Sequence, residues 1–246
     1  MIHDHLEYPS KAQWIEIEKK SKIAQLHLDV KKLKTSDIFA FITNEELSSW
    51  IRLFNNRLGQ SRMSYIFFMH YYNKGIPDDE WFIVKDQSIQ YFPHFNKETF
   101  YYKSIFDYYI DNFYYKFFSA WDTMYHIINV YYQFNIETGN RFNSNVMKNL
   151  LKIDNNLYKV VEQTNKSEPF TLSRTLRNDI THNFAPNDIS SGVIKENEEF
   201  KNNMSIMKVS FGVGHYTHAS VFTNNINGII ENFLPLLQEL KNKLES

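Results

Sequence analysis

The sequence predicts a mainly α-helical protein, a helical bundle with one or two short β-hairpins. Its 246 residues include only 7 glycines and 6 prolines, less than half of the roughly 12 % that these two residues usually make up, so long helices can run without interruption. The 43 % of hydrophobic and 22 % of charged residues exclude disorder for most of the chain. The aromatic share of 17 % indicates a large core.

The first 92 residues are predicted to form an N-terminal helical extension. We expect a helix over residues 14–33, although its first five residues also alternate like a strand. Thr43 with Glu46 three residues later is a capping-box pattern, which predicts that a second helix begins there and continues past Tyr71.

A short hairpin and a very long helix are expected next. Residues 81–84 and 88–92 flank the polar segment Lys85-Asp86-Gln87, which predicts a short β-hairpin. Residues 97–136 contain no glycine or proline and carry apolar residues on nearly every turn. We expect one long helix that is buried on more than one side, and we expect Gly139 to end it.

The rest of residues 93–246, the second predicted unit, should hold shorter helices and a polar loop. The helix that begins near Ser167 should end before Pro186, because the residue before a proline is pushed out of helical geometry. The predicted elements are a helix capped by Ser144 or Asn145, a helix near residues 157–161, a helix beginning near Ser167, a loop with a strand pair over 190–217, and a final helix over 220–244.

Composition excludes several classes of function. The absence of cysteine excludes disulfides, thiolate metal sites and a cysteine nucleophile. The 27 basic and 28 acidic residues argue against a protein that holds nucleic acid by a global positive field. The N-terminus does not resemble a secretory leader, and the most apolar stretch, residues 113–132, contains charged residues. We therefore expect a cytoplasmic protein that does not associate with membranes.

Residues 170–186 read FTLSRTLRNDITHNFAP and carry the most informative pattern. At about 100° per residue, one apolar stripe is expected to face the core; it consists of Leu172, Leu176, Ile180 and Phe184. The opposite side presents Arg174, Arg177, Asn178, Thr181 and His182. Asn178 and His182 are four residues apart, close enough for the amide to fix the imidazole tautomer.

These polar side chains suit the cleavage of RNA. A guanidinium stabilises the extra negative charge of a pentacoordinate phosphorus, and a histidine moves the 2′-hydroxyl proton near neutral pH. Attack by the 2′-hydroxyl needs no metal, so we predict no metal and no cofactor. A single helix supplies one imidazole, whereas two helices that meet across a two-fold axis supply two. We therefore predict a homodimer with RNA as its substrate.

The run LRNDITHN at residues 176–183 resembles the signature of the HEPN family (higher eukaryotes and prokaryotes nucleotide-binding), an arginine and a histidine four to six residues apart with a polar residue directly after the arginine. The surroundings are similar to a stand-alone bacterial branch of that family: FSAWD at 118–122, GVG at 212–214 and a final helix. The likeness covers about residues 93–244.

The resemblance implies an all-α bundle whose dimerisation brings two motif helices together. Many members of the family are metal-independent endoribonucleases of toxin–antitoxin or phage-defence systems, and the resemblance implies the same activity here. By this analogy Arg177 steadies the scissile phosphate, His182 transfers a proton and Asn178 orients one of them, while Arg174, Thr181 and Asn183 contact the substrate. Other members are inactive, so the alternative is a noncatalytic dimeric module that binds RNA, a nucleotide or a protein such as an antitoxin. A purely structural role for Arg177 and His182 also stays open.

Four weaker patterns have simpler interpretations. Asp122 and His126 are expected to form a hydrogen-bonded pair in the core or to contact the motif helix, although a tuned proton donor is the alternative. Two histidines, His215 and His218, have a spacing that suits a metal but lack further ligands. The glycines of 212–214 more often mark a turn than a phosphate loop. The lysines at 31, 32 and 34 are expected on a solvated helix face, with an RNA-approach surface as the second interpretation.

Overall fold

The computed structural model describes residues 6–29, 38–86, 88–199 and 205–245, and helices dominate it. The predicted mainly α-helical fold is confirmed. The helices are α1 (Lys11–Lys20), α2 (Ile38–Tyr72), α3 (Lys97–Tyr131), α4 (Phe142–Ile153), α5 (Asn155–Lys166), α6 (Glu168–His182) and α7 (Ala219–Glu245). No helix of the described residues is both long and apolar enough to cross a bilayer.

Two separate antiparallel strand pairs complete the fold. The first joins β1 (Phe82–Lys85) to β2 (Ser88–Tyr91), as predicted, and the second joins β3 (Val193–Glu199) to β4 (Ser205–Phe211) within the predicted polar loop. In the second pair Val193 lies opposite Phe211. Both hairpins lie between helices and form no common sheet.

The long helix α3 is the centre of the bundle and contacts α2, α4 and α6. Phe68 of α2 packs edge-on against Phe106 and Phe113 of α3, with ring centroids 5.7 and 6.2 Å apart. Farther along the same face Phe117 contacts Phe233 of α7 at 5.1 Å. Buried residues also flank this face on both sides, among them Ile105 and Tyr125. The prediction that this helix is buried on more than one side is confirmed.

The predicted helix over residues 14–33 is wrong for residues 21–29, and residues 30–33 lie outside the described part of the chain. After α1 comes a short 3₁₀-helix, Ile23–Gln25, and residues 26–29 then have no regular secondary structure. Leu26 and Leu28 are both buried, which is the two-residue period of an extended segment. The backbone N–H and C=O of Leu28 are bound at 2.8 Å by the side-chain amide of Asn55, so α2 replaces the missing helical hydrogen bonds.

Three predicted helix ends also differ. Helix α2 already includes Ile38, so Thr43 is inside the helix and is not its cap. Helix α3 ends at Tyr131, well before Gly139, because Gln133 and Asn135 adopt positive φ angles of 52° and 53°.

The start of α4 lies before the two residues predicted to cap it, Ser144 and Asn145. Its first residue is Phe142, and Arg141 precedes it in the cap position. The Ser144 hydroxyl instead donates to the carbonyl of Arg141 at 2.9 Å. A serine in the first turn therefore satisfies a backbone acceptor without starting the helix.

One hydrophobic cluster extends through all seven helices, from Ile17 of α1 to Leu244 of α7. Residues 1–92 and 93–246, which the sequence divides into two units, thus contribute to a shared core where they are described. The division itself stays a prediction.

Candidate functional site

Helix α6 carries the predicted motif, and one of its faces is fixed in the core. Pro169 stands in its first turn, where a proline is compatible with a helix. The buried residues of α6 are Phe170, Ser173 and Leu176, and Ile180 packs against the same core. The predicted apolar stripe is therefore wrong for Leu172, which is 37 % exposed, and for Phe184, which is 66 % exposed and follows the end of the helix. The core face is rotated towards Phe170 because α6 contacts α3, α5 and α7 together.

An aromatic contact and a close backbone approach hold the first half of α6. The ring of Phe170 lies 4.7 Å from that of Trp121 and 5.7 Å from that of Phe117, both on α3. On the α7 side a Cβ atom added to Gly228 would lie only 2.9 Å from Cγ of Pro169. Glycine at this position thus allows α7 to approach the start of the motif helix closely.

Asn225 of α7 joins three helices by buried hydrogen bonds. Its Oδ1 accepts from the Tyr114 hydroxyl of α3 at 2.8 Å and from the Ser173 hydroxyl of α6 at 2.9 Å. Its Nδ2 donates to the Pro169 carbonyl at 2.9 Å. Burial raises the pKa of Tyr114 well above its usual range, so the phenol remains a donor.

Four of the predicted site residues lie together near the C-terminal end of α6, away from the core. Asn178, Thr181 and His182 are exposed, and Arg177 is half-buried. Arg177 Nη1 donates to Oδ1 of Asn178 at 3.3 Å, and the Thr181 hydroxyl donates to the Arg177 carbonyl at 2.7 Å. No residue in the described part of the chain forms a hydrogen bond with the His182 ring. Within one protomer the Asn178 amide thus orients Arg177 rather than the imidazole.

The other two predicted residues form contacts that hold the helix. Half-buried Arg174 donates to Oδ1 of Asn165 on α5. Asn183 follows the last helical residue; its backbone N–H donates to the Asp179 carbonyl at 3.0 Å and its Nδ2 donates to Oδ1 of Asp179 at 2.8 Å. The bonds of Arg174 and Asn183 thus hold the helix in place on either side of Arg177 and His182.

A buried polar network that the sequence analysis missed holds the segment after α6. Lys103 of α3 donates to the Asn187 carbonyl at 2.6 Å and to Oδ2 of Asp107 at 2.5 Å. Nδ2 of Asn187 lies 3.4 Å from Oδ1 of Asp111. Burial raises the pKa of Asp107 to about 7 and that of Asp111 to about 6. The only sequence signal was the repeated four-residue spacing of Lys103, Asp107 and Asp111, which places them on one face of α3.

The predicted contacts of Asp122 and His126 are wrong. Asp122 is exposed and accepts from Asn143 at 3.1 Å. The His126 ring is stacked between Trp50 and Phe142, with centroid distances of 4.1 and 4.4 Å. Burial lowers the pKa of His126, so it serves as a neutral aromatic ring between α2 and α4.

His218 is part of a group of possible metal ligands, and His215 does not belong to that group. In the part of the chain that the structure describes, the one group with suitable spacing combines His218 with Asp78 and Asp79. Oδ2 of Asp78 already accepts from Tyr216 at 2.6 Å and from the Ala219 N–H at 2.7 Å. Asp78 therefore caps the start of α7 and ties it to the end of α2.

Residues 212–214, which the sequence suggested as a turn, are not a turn but follow β4 at the open end of the second hairpin. The Gly212 N–H donates to the Gly192 carbonyl at 2.7 Å. A Cβ atom on Gly214, whose φ is +81°, would lie 2.4 Å from the Ser190 carbonyl oxygen. The lysines at 31, 32 and 34, by contrast, lie outside the described residues.

Comparison with known proteins gives one family. The family model described as HEPN_Cthe2314-like HEPN matches residues 50–241. No curated protein and no solved structure gives a significant match. The matched region includes all of α3 and α6 together with most of α2 and α7. It begins closer to the N-terminus than the resemblance seen in the sequence, which started at about residue 93.

Proposed function

The chain belongs to the HEPN family, and from that premise we propose that it is a metal-independent endoribonuclease whose active site combines the motif helices of two copies. HEPN domains are typically dimeric and nucleotide-binding. The proposed substrate is RNA. The proposed catalytic residues are Arg177, Asn178 and His182, and the cytoplasm is the proposed location.

The observation that carries this proposal is the exposure of the motif on an otherwise anchored helix. Asn178 and His182 are exposed, whereas Phe170 and Leu176 of the same helix are 0 % and 5 % exposed. A histidine with a structural role would be expected inside the protomer with a hydrogen-bond partner. His182 is instead accessible to a ligand or to a second copy of the chain, and its ring has no partner among the described residues.

The side chains can divide the reaction between them. The 2′-oxygen attacks the neighbouring phosphorus while the neutral His182 of one copy takes the 2′-hydroxyl proton. The bond from phosphorus to the 5′-oxygen breaks, and the protonated His182 of the other copy gives that oxygen a proton. The products are a 2′,3′-cyclic phosphate and a 5′-hydroxyl.

Arg177 is suited to the charge that develops in this step. A guanidinium directed at the phosphate oxygens stabilises the pentacoordinate transition state more than the ground state. The hydrogen bond to Asn178 limits the directions that this guanidinium can take. Because the chain as a whole carries a net charge of −1, two arginines brought together by symmetry would give a local positive site on a nearly neutral protein.

The test is cleavage of mixed RNAs by the purified protein in EDTA, with analysis of the product termini. Arg177→Ala and His182→Ala are expected to abolish most cleavage. Arg52→Ala and His27→Ala, which change exposed residues of the same types elsewhere, are the matched controls and should cleave like wild type. Cleavage that survives both motif substitutions would rule out this site.

Binding without cleavage separates the alternative function. A folded wild-type protein that binds RNA or a nucleotide through Arg177 but never cleaves would be a noncatalytic module. Arrested growth on expression of the wild type, relieved by His182→Ala, would support a role as a toxin. A protein partner such as an antitoxin would then be sought by its ability to restore growth.

A further inference from the structure

The last two residues of the motif helix, Thr181 and His182, are not held by the core. Leu176 is 5 % exposed and Ile180 still packs against the core, but Thr181, His182, Asn183 and Phe184 are all exposed. A helix end without core contacts frays easily. The position of the His182 imidazole therefore depends on what holds the main chain after the helix.

That main chain is held at Asn187 by a buried ammonium group. Lys103 is 7 % exposed and Asn187 is 5 % exposed. The 2.6 Å bond from Lys103 Nζ to the Asn187 carbonyl joins α3 to a residue 84 positions later. Asp107 accepts a second bond from the same ammonium at 2.5 Å. Hydrogen bonds from a charged donor are about twice as strong as neutral ones, so this contact holds the segment more firmly than a neutral hydrogen bond would.

The ammonium group of Lys103 is surrounded by aromatic rings and is shielded from solvent. The rings of Tyr216 and Phe92 lie 5.3 and 5.9 Å from Nζ, a distance at which a ring attracts a cation. The Thr217 N–H donates to the Pro186 carbonyl at 2.7 Å. The connection after α6 and the residues just before α7 thus both pack around one buried lysine of α3.

We propose that Lys103 is a positioning residue of the motif: its hydrogen bond to the Asn187 carbonyl fixes the chain five residues after His182 and so places the imidazole. The effect on cleavage rests on the proposed ribonuclease function, whereas the effect on the helix end does not. Lys103 does not itself touch the substrate.

The test compares Lys103→Met with a matched lysine variant, Lys74→Met. Lys74 is also partly buried, pairs with Glu7 at 2.5 Å and lies 4.9 Å from the ring of Tyr102. It has no bond to residues 183–188. Each substitution removes an ammonium group that contacts both a carboxylate and aromatic rings. Only Lys103→Met also removes the hydrogen bond to the Asn187 carbonyl.

The first readout is amide hydrogen exchange of peptides that cover residues 177–188, which requires no enzyme activity. Lys103→Met should speed exchange there about tenfold or more, because a buried charged hydrogen bond is lost. Exchange in the first half of α6 should not change. Lys74→Met should leave residues 177–188 as in wild type, and Lys103→Arg, which keeps charged donors, should restore much of the protection.

The second readout is RNA cleavage. Misplacement of the imidazole should lower kcat while KM stays near the wild-type value. If wild type fails to cleave RNA, the proposed function fails and hydrogen exchange still decides the role of Lys103. Unchanged exchange at residues 177–188, or equal acceleration throughout the protein, would overturn the positioning role. If Lys103→Met does not fold, Lys103→Gln replaces it and is judged by the same two criteria against Lys103→Arg.

Discussion

Arg177 and Asn178 are bonded to each other through their side chains, Nη1 of the arginine donating to Oδ1 of the asparagine at 3.3 Å. Neighbouring residues on a helix point about 100° apart, so this contact requires the arginine to turn back across the helix surface. The polar residue directly after the motif arginine therefore limits the directions of the guanidinium within one protomer.

The first prediction concerns this pair. Asn178→Ala should lower kcat/KM by about tenfold, less than Arg177→Ala, because it removes the orientation of the guanidinium and not its charge. The double variant should be no worse than Arg177→Ala alone. A double-mutant cycle of cleavage rates measures this, and strictly additive losses would show that Asn178 acts independently of Arg177.

The second prediction concerns the face by which α6 is held. Phe170→Ala should lower the free energy of unfolding by about 3 to 5 kcal/mol, as is usual for a buried phenylalanine. Leu172→Ala, two residues away on the exposed side, should cost less than about 1 kcal/mol. Urea unfolding followed by circular dichroism distinguishes the two, and equal losses would place the core face where the sequence pattern had suggested.

The third prediction is a pH dependence that arises from Asp107. Burial raises the pKa of Asp107 to about 7 from an ordinary value of 3.8. Between these values the folded state holds a proton that the unfolded state has lost, so stability should fall as the pH rises from about 4 to about 7 and should be level above that range. A shift of this size corresponds to at most about 4 kcal/mol.

Asp107→Asn tests this pH dependence, because the amide resembles the protonated carboxyl and does not titrate. Its free energy of unfolding should change less between pH 4 and pH 7 than that of wild type. Burial also raises the pKa of Asp111, to about 6. The stability of Asp107→Asn should therefore still fall with rising pH, but less steeply than that of wild type. Identical slopes for the variant and the wild type would show that Asp107 titrates as an ordinary surface carboxyl.

The long periodic elements were predictable from the sequence because local information determines them. The interior of α3 has neither glycine nor proline, and the start of α6 has Pro169 in its first turn. Helix ends were less predictable since they depend on contacts with distant residues. Leu28 is not helical because the side chain of Asn55, 27 positions away, binds its backbone N–H and C=O. The left-handed residues Gln133 and Asn135 end α3 without any glycine.

The candidate site also has features that were predictable from the sequence and features that were not. The four-residue step from Asn178 to His182 follows from helical geometry, so a common exposed face could be inferred from the sequence. The anchor between Lys103 and Asn187 spans 84 residues and ends on a backbone carbonyl, which no side-chain pattern can reveal. The apolar stripe of α6 was misplaced because its direction depends on three neighbouring helices rather than on the helix alone.

The fourth prediction concerns Asp154 at the start of α5. Although burial opposes its ionisation, bonds from Lys243, the Leu157 N–H and Tyr132 lower its pKa to about 2. Because its pKa lies below the ordinary value of 3.8, Asp154 stabilises the fold at neutral pH, and this contribution is lost as the pH falls from about 4 to about 2. Asp154→Asn should therefore be less stable than wild type at pH 7, and the difference should shrink in acid. A constant difference in urea unfolding from pH 7 to pH 2.5 would contradict this.

The fifth prediction concerns the number of His182 side chains that each site needs. If both copies of a dimer contribute their imidazole, a dimer with one wild-type and one His182→Ala chain is inactive. After subunit exchange at constant total protein, cleavage should fall with the square of the wild-type fraction, to about one quarter for an equal mixture of a two-fold dimer. Mixing with His27→Ala, an exposed histidine outside the motif, should leave cleavage at its full value. A linear fall to one half with His182→Ala would mean that each chain contains a complete site, and the dimer would then have no part in the proton transfers.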